Sequence, residues 1–323
     1  MTSPPRVSVA VPIFNEEEIV RELIRRLDRV LTDLPGGPHE MVIVDDGSAD
    51  GTVDILESEA ASDPRIVVVA LSRNFGHQAA ITAALDHVTG DVVVVMDGDL
   101  QDAPEVIPRF LDKYQQGYDV VYALRKTRQE PLWLRACYKT FYRILARLSN
   151  IELPVDAGDF GLMSKRVVSE LRRTSERHRY LRGLRAWAGF RQIGIPVDRS
   201  ARAAGRSKYS ATRLLRLALD GLFAFTVVPL RMATVLGLIA ILLSSLFALY
   251  SLYVRLVEDR SPEGFTALII VITFLSGINL LFMGVLGEYL GRVYEEVKGR
   301  PLYVVQRIIR RDQYGLDLSP ICW

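Results

Sequence analysis

The chain has 323 residues, a formal net charge of +2 and 49% hydrophobic residues. That length suggests about two structural units, and the balanced charge carries no electrostatic footprint of a nucleic-acid partner, so none is expected. The two cysteines, Cys137 and Cys322, and the four histidines, which lack an HExxH-like spacing, supply neither a disulfide framework nor a metal cluster.

The first element is the apolar stretch SVAVPIF, a strand that starts almost at once. No basic region or signal-type apolar core precedes it, so a secretory signal is not expected. EEEIVRELIRRLDRVL reads as an amphipathic helix with Ile19, Leu23, Leu27 and Val30 on one stripe. EMVIVDDGS is a strand ending in carboxylates, and TVDILESEAA a helix. IVVVALS, HQAAITAALDHV and DVVVVMDGD continue the alternation. This βαβα order predicts a doubly wound sheet with a largely parallel core.

Three strand ends carry polar groups that could converge. The first ends in Pro12-Ile13-Phe14-Asn15-Glu16, the second in Asp45-Asp46-Gly47-Ser48-Ala49-Asp50-Gly51, and the fourth in Asp97-Gly98-Asp99. Ligands of open α/β sheets gather beyond such ends. Residues two apart in an extended chain point to the same side, so Asp97, Asp99 and Gln101 could offer oxygens to one hard cation, Mg²⁺ or Mn²⁺. Taken alone, the run also fits a solvated acidic turn after a core strand. Ser48 and Asp50 equally fit helix caps. No GxGxxG or Walker loop is present, which argues against a dinucleotide site and an NTPase.

Composition changes near Pro229. Met232 to Val254 and Phe265 to Gly287 contain no charged residue. Each run is about 23 residues, roughly 35 Å of helix, enough to span a bilayer core. The loop between them carries Arg255 and Arg260, whereas Arg206, Lys208, Arg213, Arg216 and Arg231 precede them and Arg292, Lys298, Arg300, Arg307, Arg310 and Arg311 follow. The positive-inside rule places both termini in the cytoplasm. Residues 209 to 225 read as an interfacial amphipathic helix, and Leu134 to Ile151 as either a second one or a core helix. Gly284, Gly287 and Gly291, at helical spacing, would permit close packing in a homo-oligomer, a tetramer among the options.

The motifs VAVPIFNEEE, VIVDDGSADGT, LSRNFGHQAAITAAL and MDGDLQDAPEVIP, in this order, resemble the family-2 glycosyltransferases of the GT-A fold. Followed by two apolar spans, they resemble most closely the polyprenyl-phosphate glycosyltransferases, from about Val7 to Arg311. The resemblance implies a cytoplasmic GT-A domain over 1–205, an interfacial helix over 206–229, a transmembrane region over 230–290 and a cytoplasmic C-terminal tail over 291–323. It implies a multi-pass protein of the cytoplasmic membrane that touches membrane lipid. Its substrates would be a nucleotide-diphosphate sugar donor and a polyprenyl phosphate acceptor.

The resemblance also assigns roles. Pro12, Phe14, Glu16 and Asp46 would hold the base and ribose. Ser72, Asn74, Asp97, Gly98 and Arg125 would complete the nucleotide-sugar contacts. Asp99 and Gln101 would ligate the metal, with Asp97 beside them. Asp159, in DAGDFGLMSKR, would sit on the acceptor side of the sugar. Arg202 and Lys208 fall in register with the R-x-x-G-x-S-K-Y motif and would bind phosphate. His77 reads as a capping or packing residue. The expected reaction is an inverting transfer of a single sugar, with UDP-glucose the first candidate donor. A phosphate monoester is largely a dianion at pH 7, so Asp159 is expected to orient more than to abstract a proton. Two alternatives stand beside this: a processive polysaccharide synthase, whose Q-x-x-R-W segment is missing, and an inactive membrane-anchored binding protein. DQYGLDLSPICW is read as a loose terminus.

Overall fold

The computed structural model describes residues 4–125, 157–174, 176–177, 179–198, 228–257, 264–312 and 315–317. The chain divides into two units: Met1–Lys139, Ile151–Lys208 and Arg300–Trp323 form the first, and Thr140–Asn150 with Tyr209–Gly299 the second.

The first unit is built on one sheet. Its strands are β1 (Val7–Ile13), β2 (Glu40–Asp45), β3 (Ile66–Leu71), β4 (Val92–Val95), β5 (Val120–Arg125), β6 (Ala157–Ser164), β7 (Gln192–Val197), β8 (Val305–Asp312) and β9 (Gly315–Asp317). Their order is β7-β5-β6-β4-β1-β2-β3-β8-β9. The pairs β4–β1, β1–β2 and β2–β3 are parallel, while β6 runs antiparallel to β4 and β5, and β8 antiparallel to β3. Every residue of β1, β2 and β4 is buried, which is why they read as continuous apolar runs. The connections from β1 through β2 to β3 run one way, and β4 returns on the other side of β1. That reversal opens a crevice at the strand ends.

Helices α1 (Val20–Asp33), α2 (Thr52–Ser62), α3 (His77–His87), α4 (Ile107–Gln115), α5 (Lys165–Arg173) and α6 (Leu181–Trp187) belong to the same unit. The α1 stripe buries Leu23, Leu27 and Val30 as the spacing predicts. The helix starts four residues after Glu16, and the reason is local. The Glu16 N–H donates to Thr52 Oγ1 at 3.1 Å and the Glu17 N–H to Asp50 Oδ2 at 3.3 Å, so these residues are drawn into a loop. Asp50 also accepts the N–H of Thr52, at the first turn of α2, at 3.1 Å.

The segment read as a C-terminal tail enters the sheet. β8 lies along β3, Val68 opposite Ile309 and Val69 opposite Ile308, and Ile309 is fully buried. Residues 315–317 add β9 beyond it.

The second unit contains α7 (Val228–Val257) and α8 (Phe265–Val297). Windows within them, Ala233–Val254 and Phe274–Val297, are long and apolar enough to cross a membrane, and neither is buried by protein. Leu238, Leu242, Phe247 and Leu280 are each at least 60% exposed, a surface suited to lipid rather than water. α8 continues past the predicted limit at Gly287 into a charged stretch where Glu288 and Arg292 pair at 3.0 Å. A Cβ added at Gly284, Gly287 or Gly291 would meet nothing within 4 Å. The interfacial segments read over 134–151 and 209–225 lie outside the described residues.

Candidate active site

The two loops after β1 and β2 are laced together. Asn15, held at φ 54°, donates its N–H to Ser48 Oγ at 2.9 Å, and its Oδ1 accepts the Ala49 N–H at 2.8 Å. Glu17 Oε2 accepts the Gly51 N–H at 3.0 Å. Asp45 Oδ2 accepts the N–H groups of Gly47 and Ser48, each at 3.1 Å. Gly47 has φ 71°, and a Cβ there would lie 2.5 Å from the Arg73 carbonyl carbon, so only glycine allows the β2 and β3 loops to meet.

Asp46 organises the next turn. Its Oδ1 accepts the Phe75 N–H at 2.8 Å and its Oδ2 the Gly76 N–H at 2.9 Å. Burial, together with the charge of Asp45, pushes its carboxyl above the usual range despite these two donors. The turn delivers His77 to the start of α3.

The fourth strand end closes the site. A Cβ at Gly98 would sit 2.9 Å from Ile13 Cγ1 and 3.1 Å from the Pro12 carbonyl oxygen, so glycine is needed where the β1 and β4 ends touch. Leu100 follows at φ 57°, an unfavourable conformation for a leucine. Asp99 Oδ1 accepts the Gln101 N–H at 3.1 Å.

These loops enclose a cavity of about 300 Å³ lined by Pro12, Phe14, Glu16, Asp46, Asn74, Asp97, Gly98 and Asp99, with His77 at its wall. Eight of the residues singled out in the sequence therefore meet in one place. Gln101 does not line this cavity. Ser72 lines a neighbouring one of about 340 Å³, with Asp45, Arg73 and Arg307, and its N–H donates to the Val304 carbonyl at 2.9 Å. Arg125 ends β5, and its side chain is outside the description; Arg202 and Lys208 lie outside the described residues altogether.

Asp159 reaches the site through strand register. Val95 faces Gly161 where the antiparallel pair of β4 and β6 ends, and Asp97 and Asp159, each two residues beyond, line one small cavity with Arg182. His77 Nε2 lies 3.4 Å from Asp97 Oδ1 and 3.7 Å from Asp159 Oδ2. Arg182, on α6, grips Asp159 with two bonds, Nε to Oδ1 at 2.8 Å and Nη2 to Oδ2 at 3.2 Å. Burial opposes the Asp159 charge, but nearby His77 and the Arg182 guanidinium outweigh it and hold the carboxyl well below the usual range. Burial likewise opposes a charged His77, and the two carboxylates overrule it, raising its pKa above the ordinary value. Beneath them Arg185 is fully buried, its Nη2 directed at the Gly158 carbonyl at 3.4 Å and its guanidinium 4.9 Å from the Tyr122 ring centre. Burial pushes Arg185 down to about 10. The sequence reading missed Arg182 and took His77 for a capping or packing residue, whereas its ring faces Asp97 and Asp159. The available signal for His77 was its place directly after Gly76 at a helix start.

The donor set fits a divalent cation. Asp97 and Asp99 are hard oxygen donors lining the cavity. Among the described residues no three His, Cys, Asp or Glu side chains converge into a protein-only cage. A cation held by one or two carboxylates and completed by substrate phosphates and water is the usual arrangement for Mg²⁺.

Residues 8–172 match the glycosyl transferase family 2. An uncharacterized glycosyltransferase of Bacillus subtilis (strain 168), YkcC, is 40% identical over 96% of this chain and 94% of its own length. A prophage-derived bactoprenol glucosyl transferase of Shigella flexneri is 38% identical over 94% of this chain and 98% of its own. The undecaprenyl-phosphate 4-deoxy-4-formamido-L-arabinose transferase of Klebsiella pneumoniae (strain 342) is 35% identical, covering 97% of both chains. With its strand-end cavity, its mixed sheet and these relatives, the chain belongs to glycosyl transferase family 2.

Proposed function

We propose that the protein transfers one sugar from a nucleotide-diphosphate donor to a polyprenyl phosphate at the cytoplasmic membrane face, with inversion at the anomeric carbon. The observation that carries this reading is the single cavity joining Pro12, Phe14 and Glu16 to Asp97 and Asp99. One end offers apolar and carboxylate contacts for a nucleoside, and the other two carboxylates for a diphosphate-bound cation. The names of the Shigella and Klebsiella relatives support a lipid phosphate acceptor, and two long apolar helices support its delivery from a bilayer.

Asp99, with Asp97 beside it, would hold Mg²⁺ or Mn²⁺; Gln101 contributes its N–H to Asp99 rather than a position in the cavity wall. The bound cation would neutralise charge on the departing nucleotide diphosphate. Asp46 holds the turn that carries Asn74 and His77 to the cavity. Asp159, kept ionised but paired with Arg182 and close to His77, would orient groups on the acceptor side of the sugar. A carboxylate held that acidic is a poor proton acceptor, and a dianionic phosphate needs none. Arg202, Lys208 and Arg125 remain the sequence-based candidates for added phosphate charge.

The test is to incubate membranes carrying the protein with radiolabelled nucleotide sugars, undecaprenyl phosphate and Mg²⁺ or Mn²⁺. UDP-glucose leads the panel because of the glucosyl transferase relative, with UDP-galactose, UDP-linked amino or formamido sugars and GDP-mannose beside it. A lipid product bearing one sugar is expected. A polymer, or no turnover with any donor, would sink the reading. Asp99→Ala is expected to lower kcat by at least about 100-fold. Full activity of that variant in excess chelator would remove the metal from the mechanism.

A further inference from the structure

One wall of the donor cavity comes from the loop between β3 and α3, which brings Asn74, Gly76 and His77 to the site. Asp46 holds the middle of that loop through the Phe75 and Gly76 amides. The start of the loop is held from the other end of the sequence. The Ser72 N–H donates to the Val304 carbonyl at 2.9 Å, and Val305 pairs with Leu71 where the β3–β8 register shifts. The Tyr303 hydroxyl donates to Asp86 Oδ2 at 2.7 Å, in the last turn of α3. Tyr303 also packs, with Phe75 and Val305, against the buried cluster that contains Ala80 and Ala84. Residues 303–305 therefore grip the loop where it leaves the sheet and the helix where it ends.

That helix is otherwise lightly held. Its buried residues are Ala80, Ile81, Thr82, Ala83, Ala84 and Leu85, half of them alanine, and an alanine buries little apolar area. Its N-cap, Gly76, stands at φ 98° and offers no side-chain bond. The near end is tied to α6 by Gln78, whose Oε1 accepts the Leu181 N–H at 3.0 Å. At the far end Arg172 donates to the Leu85 and Val88 carbonyls at 2.6 and 2.7 Å, and Tyr303 adds the bond to Asp86. Burial and the Asp86 carboxylate both push the Tyr303 hydroxyl above its ordinary pKa, so it stays a donor at any physiological pH.

The strap that carries Tyr303 continues directly from the second apolar helix. The turn after α8 closes at Gly299, φ 59°, whose N–H donates to the Glu296 carbonyl at 3.1 Å. Pro301 follows, and the Arg300 carbonyl accepts Arg177 Nη1 at 3.2 Å. Tyr303 is the fourth residue after that glycine.

We propose that Tyr303 is a positioning residue for the donor site: the strap returning from the apolar helices sets the β3–α3 loop, and with it the donor-facing Asn74 and His77. The role rests on the donor reading of the cavity. Tyr303 does not line that cavity, so it acts through α3 and the loop rather than by touching a nucleotide. The Phe75 and Gly76 amides reach Asp46 at 2.8 and 2.9 Å, distances that leave little room for a shifted loop. A misplacement of about 1 Å at a reacting site costs on the order of 100-fold.

The test uses the full-length protein with Tyr303→Ala and, as the conservative control, Tyr303→Phe, which keeps the ring and loses the bond. Calorimetry with UDP and GDP in the presence of Mg²⁺ reads the donor site without turnover. Steady-state kinetics with undecaprenyl phosphate separate the donor KM from the acceptor KM and kcat. Tyr303→Ala is expected to weaken the nucleotide and raise the donor KM about tenfold, and Tyr303→Phe about threefold, with the acceptor KM and kcat nearly unchanged. Ile309→Ala separates positioning from stability, because Ile309 lies in the same strand but packs in the other core cluster, with Val7 and Leu27. It should lower the melting temperature and leave nucleotide affinity at the wild-type value. Unchanged nucleotide affinity in Tyr303→Ala overturns the role, as does an equal loss in Ile309→Ala or an equal rise in the acceptor KM. Absence of UDP and GDP binding to the wild-type protein would instead overturn the donor reading, and this role with it. Tyr303-dependent nucleotide binding in a wild-type protein that transfers no sugar would sink the lipid-phosphate reaction and leave the positioning role standing.

Discussion

Asp159 shows how a single side chain ties the fold to the chemistry. It is 7% exposed, clasped by Arg182 and close to His77, with the buried guanidinium of Arg185 nearby. Replacing it by asparagine leaves those cations without their anion, and removing one partner from a buried pair costs about 3 kcal/mol. Asp159→Asn is therefore expected to melt well below the wild-type protein in the same detergent, in addition to losing transferase activity. The pH dependence follows from the sign of the shift. A carboxylate whose pKa is depressed on folding contributes stability above its unfolded value, and that contribution is lost as pH falls through the folded value. The gap between wild type and variant should thus be widest near pH 5, narrow below about pH 4 as Asp159 protonates, and narrow again above about pH 6.5 as His77, whose pKa the neighbouring carboxylates raise, loses its proton. A gap unchanged between about pH 5 and pH 8 would mean that His77 carries no charge beside Asp159. The sequence could nominate Asp159 by its motif but not by its partners. Asp97 and Asp159 come together beyond the end of the antiparallel β4–β6 pair, and Arg182 arrives on a short helix, α6, with neither relation encoded in local spacing.

Among the elements, β8 is the one that composition hides. It follows an apolar helix of 33 residues, and its own pattern, VQRIIRRD, is charged enough to pass for a tail. Yet it supplies the partner for β3, and Ile309 enters the same core as Val7, Val9 and Leu27. The strands and helices up to Asp99 were readable because each is local: β1, β2 and β4 are continuous apolar runs, and α1 carries its stripe at helical spacing. A pairing between residues 68 and 309 has no such local signature. Ile309→Ala is expected to destabilise the sheet unit by about 2–4 kcal/mol, seen as an earlier transition in urea. Gln306→Ala, on an exposed side chain of the same strand, is the control and should fall within about 0.5 kcal/mol of wild type. Equal, negligible effects of the two would show that β8 does not hold the sheet.

That strand also constrains the whole molecule. The chain leaves the sheet unit, passes through α7 and α8, and comes back to hydrogen-bond with β3. A folded sheet cannot be divided by a bilayer, so the residues before α7 and those after α8 must lie on one side of any membrane that the two helices cross. This argument is independent of the arginine count that suggests the same arrangement. If both helices span, only the short loop between them reaches the other side. In a background with Cys137→Ser and Cys322→Ser, single cysteines at Ser261, Asp112 and Arg311 report this directly. Intact bacterial cells treated with a membrane-impermeant maleimide should label Ser261→Cys alone. Asp112→Cys, before the helix pair, and Arg311→Cys, after it, should label only once the cells are opened. Labelling of Ser261→Cys only after lysis would mean that the pair lies along the membrane face or enters from it without crossing. Labelling of Arg311→Cys but not Asp112→Cys in intact cells would contradict the shared sheet itself, because β8 and β3 would then stand on opposite sides of the bilayer.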